Sequence, residues 1–115
     1  MARTLSFYRS LGLHFAEGAE AEGHVETTLP GGIRLLFDTI AVIQSFCHYQ
    51  PASGGHRVGL AFRCASPAEV DRCFEALTAA GNAPITAPFG AFWGQRYAQV
   101  SDPDGNPVDL YAPQD

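Results

Sequence analysis

The sequence predicts a single antiparallel-rich α+β domain made of two related halves, in which each sheet curls with helices on one side and a concave surface on the other. Three observations carry this reading. The stretch from Phe92 to Pro113 alternates apolar and polar residues on both sides of one strong turn, Asp102-Pro103-Asp104-Gly105-Asn106. Ser66 to Gly81 holds a full set of helix start and stop signals. The second half then reads β-α-β-β-β and the first half α-β-β-β, the same unit without its opening strand.

Taken in order, Ala2 to Leu11 reads as a short helix, with Leu5, Tyr8 and Leu11 three apart, Phe7 widening the stripe and Gly12 as the stop. No Ser, Thr or Asp precedes it to bond its first backbone N–H groups, and the sequence reading expects a natural chain that starts upstream and supplies the missing strand. Leu13 to Phe15 reads as a short extended piece, and Glu17 to Gly23 as an exposed acidic loop. His24 to Leu29 and Ile33 to Thr39 read as strands joined by a turn at Pro30-Gly31-Gly32. On the second of these, Ile33, Leu35 and Phe37 share one face and Arg34, Leu36 and Asp38 the other.

Ile40 to Gly55 reads as a linker between unit one (1–39) and unit two (56–115), with the start of a helical turn at Ile40, Val42, Ile43 and Phe46. Its Phe46, His48 and Tyr49 either cover a pocket or simply pack. His56 to Cys64 reads as a strand, alternating Val58, Leu60, Phe62 and Cys64 against Gly59, Ala61 and Arg63. Ser66 caps the next helix, with Pro67 at its first position, Glu69 completing a capping box, and Val70, Cys73 or Phe74, Leu77 and Ala80 as its buried stripe. Ala83 to Ala87 is followed by an aromatic loop from Pro88 to Gly94 and then by the hairpin, in which Asp109 takes the phase opposite to Val108 and Leu110.

A chain of 115 residues has room for one domain that buries roughly two thirds of its extended surface. Apolar residues are 46% and charged residues 17% of the chain, which fits a folded protein and excludes a disordered one. The net charge of −5 comes with no sequence cluster of Lys and Arg, so nucleic acid and anionic membranes are disfavoured as partners. Cys47, Cys64 and Cys73 are odd in number, widely spaced and read as reduced, buried thiols. With no signal-peptide core and no apolar run of membrane length, the expected location is cytoplasmic.

With the repeat, Phe92-Trp93-Gly94-Gln95-Arg96-Tyr97 and Asp102 to Leu110 in hand, the sequence resembles the vicinal oxygen chelate superfamily, the glyoxalase, bleomycin-resistance and extradiol-dioxygenase group. Ala2 to Leu13 looks like that family's first helix and Gly59 to Cys64 like its fifth strand. The resemblance implies, in the metal-dependent members, ligands from the first and last strands of each unit, where a divalent ion acts as a Lewis acid. Laid on this pattern, the fifth-strand ligand position is Gly59, which has no donor, and His56 lies three residues early on the opposite phase. The two last-strand positions are Asp38 and Asp109, so a divalent metal is possible but its ligand set is incomplete. Asp38 and Asp109 are the metal candidates; otherwise they are polar residues facing a solvated pocket. His24 and Glu26 are weaker candidates, and His14 and His48 default to surface or packing roles.

The candidate ligand-binding set is Arg34, Asp38, Arg63, Trp93, Asp109 and Tyr111. Arg34 and Arg63 share the inferred concave phase and pair either an acidic ligand or one of the aspartates; Arg96 is a third arginine of interest. Trp93, Phe92 and Tyr111 supply aromatic surface of the kind that lines small-molecule pockets. The expected function is small-molecule binding in a concave pocket at a homodimer interface, akin to the bleomycin-binding branch. The rival is a metal-dependent lyase or dioxygenase, and the dimer is implied by the resemblance alone.

Overall fold

A computed structural model describes residues 1–46, 50–51, 53–55 and 58–115. The sequence readings for Cys47, His48, Tyr49 and His56 lie outside the described residues. The chain divides into two compact units, Met1–Gly55 and His56–Asp115. Each is α+β with its own sheet.

The first unit opens with helix α1 (Ala2–Arg9), whose N-cap, Met1, makes no side-chain capping bond. Its periodicity turns Leu5, Phe7 and Tyr8 inward. A hairpin follows, β1 (His24–Thr28) against β2 (Arg34–Asp38), antiparallel with His24 opposite Asp38 and Thr28 opposite Arg34. Leu5, Ala19 and Val25 form the buried core, with Met1, Phe15 and Phe37 packed on it. The rings of Tyr8 and Phe15 lie 5.5 Å and 5.4 Å from that of Phe37.

The expected extended piece at Leu13 to Phe15 adds no strand. It instead leads to a short 3-10 turn, Ala19–Ala21, and is tied to β1 by Thr27 Oγ1, which donates to the His14 carbonyl at 2.7 Å. The first unit thus has two strands among its described residues, one fewer than the sequence reading. Within the stretch read as a linker, helix α2 (Ile40–Gln44) forms because the Thr39 hydroxyl accepts the Val42 N–H. Gly23 lets α2 approach, since a Cβ there would stand 2.6 Å from Val42 Cγ2.

The second unit is a four-stranded sheet in the order β3 (Leu60–Arg63), β6 (Pro107–Pro113), β5 (Gln95–Ser101), β4 (Pro84–Ala91). β3 runs parallel to β6, and the other pairs are antiparallel. Helix α3 (Pro67–Ala79) covers one face. Its start is doubly capped: Ser66 Oγ accepts the Glu69 N–H at 3.2 Å and Glu69 Oε2 accepts the Ala65 N–H at 2.6 Å. Val70 and Leu77 of α3 meet Ala98, Val100, Val108, Leu110 and Ala112 in a core whose members are at most 1% exposed. Each buried Leu or Val contributes about 1.5–3 kcal/mol relative to exposure. Ala80, read into the buried stripe, is exposed because the helix has ended by that residue.

Two boundaries differ from the sequence reading. Pro88 to Ala91 belongs to β4, not to a loop, and only residues 92–94 turn. Pro84 and Pro88 are tolerated because β4 is the sheet's edge, where a missing N–H breaks no ladder, and the register shifts on both sides of Thr86 absorb the misfit. The β5–β6 turn is built on Asp102, 5% exposed, whose Oδ1 accepts the N–H groups of Asp104 and Asn106 and whose Oδ2 accepts the Asn106 amide. Gly105, at φ +85°, supplies the left-handed step this turn needs.

Candidate functional site

Strand alternation puts every second residue of the second unit's sheet on the face opposite α3. The register then assembles two rows across all four strands. One is Arg63, Tyr111, Tyr97 and Phe89; the next is Ala61, Asp109, Gln99 and Thr86. The first row is aromatic with a cation at one end. The second is a hydrogen-bonded chain.

In that chain the Thr86 hydroxyl donates to Gln99 Oε1 at 3.0 Å, and Gln99 Nε2 donates to Asp109 Oδ1 at 2.9 Å. The threonine thereby orients the amide with its nitrogen toward the carboxylate. Tyr97 stands between the two rows: burial, and then the neighbouring Asp109 carboxylate, push its ionisation up to about 12. Tyr97 is therefore neutral at physiological pH, and Asp109 accepts from the Gln99 amide.

The aromatic row continues into the 92–94 turn, closed by the Gly94 N–H bonding to the Ala91 carbonyl at 3.0 Å. Trp93 stands 5.4 Å from Tyr97 and 6.2 Å from Phe89 between ring centres, near perpendicular to both. Its indole N–H donates to Gln95 Oε1 at 2.8 Å, which fixes the ring. Even so, Trp93 is 49% and Phe92 97% exposed. Arg63 is exposed beside Tyr111, and among the described residues it has no ion-pair partner. Arg96, on the helix-facing phase, is held by Asp71 of α3 at 2.9 and 3.2 Å.

The first unit has a polar cluster on the outer face of β1 and β2. His24 Nδ1 lies 2.5 Å from Asp38 Oδ1 and its Nε2 lies 3.0 Å from Glu26 Oε1. Glu26 also accepts both of its contacts from Arg34 Nη2 at 2.8 Å. The Glu26 and Asp38 hydrogen bonds hold the His24 imidazole above its ordinary range, and His24 and Arg34 hold Glu26 below the usual carboxylate range. Beside this cluster, an open cavity of about 240 Å³ lies between residues 16–22 and β1.

Arg34 and Asp38 thus share one hairpin face, where Arg34 pairs with Glu26 and Asp38 with His24. Arg63, Asp109 and Tyr111 share the open face of the second sheet, with Trp93 at the far end of its aromatic row. The sequence reading overlooked Gln99, Thr86, Tyr97 and Phe89 as parts of this face. Gln99 and Tyr97 were visible in the alternation of β5, whereas Thr86 and Phe89 depend on the irregular register of β4. Cys64 and Cys73 are free thiols, half-buried; burial raises both, Cys64 to about 11, which leaves them unreactive.

A divalent ion would need three or more donors in one place, and among the described residues no such group of His, Cys, Asp or Glu is present. Both ring nitrogens of His24 are spent on carboxylates, and Asp109, in the other unit, accepts the Gln99 amide and belongs to no such group among the described residues. The described side chains therefore do not fit a metal centre. No described helix is long and apolar enough to cross a membrane.

No curated protein matches the chain in sequence. Among solved structures, it resembles a glyoxalase-related enzyme from Fulvimarina pelagi, with TM-score 0.79 and 19% identity over 97% of this chain and 79% of that one. It also resembles the hypothetical protein SA1046 from S. aureus, at TM-score 0.78 and 18% identity over 97% and 84% of the two chains. Protein ATC0852 from Agrobacterium tumefaciens is 26% identical, with TM-score 0.68 over 99% of this chain and 88% of that one. The profile of the Glyoxalase/Bleomycin resistance protein/Dioxygenase superfamily matches residues 1–110. With helix and strands laid out as its solved relatives have them, this chain belongs to the glyoxalase/bleomycin resistance protein/dioxygenase superfamily.

Proposed function

We propose that the protein binds a small organic molecule and holds it without transforming it, as the bleomycin-resistance branch of its superfamily does. The supporting observation is the open face of the four-stranded sheet. A half-buried aromatic row ends in an exposed arginine and runs beside an oriented hydrogen-bond chain, a combination suited to a flat, polar-edged molecule. Trp93, Tyr111, Arg63 and Asp109 make the contacts on this face. The pocket is proposed to lie at a homodimer interface in the cytoplasm, and Arg34 and Asp38 are proposed as ligand contacts on the first unit's own hairpin face.

The direct test is native mass spectrometry of the purified protein, which is expected to retain a small molecule whose release shifts the Trp93 indole signal. Metal-dependent turnover of a glyoxalase or catechol-type substrate, abolished by Asp109→Ala, would overturn the reading. Sedimentation velocity checks the dimer, and a stable monomer would remove that part.

A further inference from the structure

The three strand-borne arginines are treated differently. Arg34 is paired with Glu26 and Arg96 with Asp71, whereas Arg63 has no carboxylate partner among the described residues. The nearest acid by register, Asp109, sits one row away and pairs with the Gln99 amide through Oδ1, not with Arg63. In a chain of net charge −5, an arginine left without an acid on an aromatic face is an unmet demand for an anion.

Along the same row lie Tyr111, Tyr97 and Phe89, with Trp93 standing over the last two. Three strand spacings separate Arg63 from Phe89, about 14 Å. That length exceeds a single ring and suits a flat molecule carrying its charge at one end.

Resting on the small-molecule reading above, we propose that the ligand is an aromatic hydroxycarboxylate: its carboxylate pairs with Arg63, its adjacent hydroxyl donates to Asp109, and its rings lie along Tyr111 and Tyr97 toward Trp93. The hydroxyl relieves what would otherwise be repulsion between two carboxylates, because Asp109 receives a donor where the acid receives a cation. The rings cover aromatic surface that is exposed in the free protein, Phe89 being 38% and Trp93 49% accessible.

The probe is 3-hydroxy-2-naphthoic acid, compared with its neutral twin, 3-hydroxy-2-naphthamide. Calorimetry gives the affinities, and the indole N–H resonance of Trp93, the single tryptophan, reports the place of binding. The acid is expected to bind on the order of tenfold tighter than the amide. Arg63→Gln is expected to erase that preference, while Arg72→Gln on the exposed side of α3 retains it. Equal affinity for acid and amide, a preference that survives Arg63→Gln, or no binding of either probe would overturn the proposal. Far-UV circular dichroism of Arg63→Gln shows that its fold is kept, and Arg63→Lys, which keeps charge without the fork, is expected to fall between the two. A co-purified molecule that moves the Trp93 signal while the naphthoate shows no preference would remove the hydroxycarboxylate and leave small-molecule binding standing. Failure of both measurements would remove both.

Discussion

Replacing Asp102 with alanine tests how the hairpin that carries Asp109 is held. The Asp102 side chain accepts from the N–H groups of Asp104 and Asn106 and from the Asn106 side-chain amide. Asn106 is 8% exposed, so its two donors have little access to water once the carboxylate is gone. A buried donor left unmade costs about 1–3 kcal/mol, and two of them about 2–6 kcal/mol. The Asp104 N–H lies in the exposed part of the turn and hydrates, adding little. The loss is large beside the roughly 5–15 kcal/mol that holds a domain of ordinary stability. Asp102→Asn keeps one acceptor oxygen for the two backbone donors but turns an amide toward that of Asn106, so it is expected to cost less than the alanine change. Urea unfolding followed by far-UV circular dichroism measures both. A loss under about 1 kcal/mol for Asp102→Ala, or equal losses for the two variants, would refute this account of the turn.

The remaining predictions address packing and titration. Leu110→Ala, at a fully buried position in the second strand of the sheet, is expected to lose about 2–5 kcal/mol in the same unfolding assay. The Tyr97 hydroxyl is expected to titrate near 12 in the folded protein and nearer its ordinary value in Asp109→Ala, as read by ultraviolet titration with Tyr97→Phe identifying the signal. Since this pKa is raised by folding, its contribution to stability is whole below about pH 10 and is lost as pH rises through the folded value. The His24 imidazole is expected by NMR to titrate above the usual histidine value and to fall in Glu26→Gln, the hydrogen bond to that carboxylate being the largest cause of its rise, ahead of Asp38. Its stabilising contribution is present below the unfolded pKa and lost as pH rises through the folded one; that of Glu26, which is lowered, is lost on acidification. An unchanged His24 titration in Glu26→Gln would show that the contact is absent in solution.

Where local chemistry alone decides the outcome, the sequence was readable. The Ser66, Pro67 and Glu69 signals place the start of α3, and Asp102 to Asn106 makes a turn through contacts within five residues. Period-two alternation likewise separated Val108 and Leu110 from Asp109, because a strand has only two faces. β4 was harder: Pro88 and Gly90 carry turn chemistry, and only the neighbouring β5 turns that segment into an edge strand. The candidate site divides in the same way. That Asp109 leaves the core is written in the phase of its strand, but that Gln99 takes up its carboxylate depends on which residue the register sets opposite it. The partners of Arg34, Arg96 and His24, and the lack of a described acid beside Arg63, were likewise decided by cross-strand and helix-to-sheet neighbours. By itself the sequence determined the class of fold, the turn, the caps and the two faces of each strand, all products of short-range sterics and hydrogen bonds. Tertiary structure decided which charges are met and which aromatic rings stand together, because those follow from pairings between residues far apart in the chain.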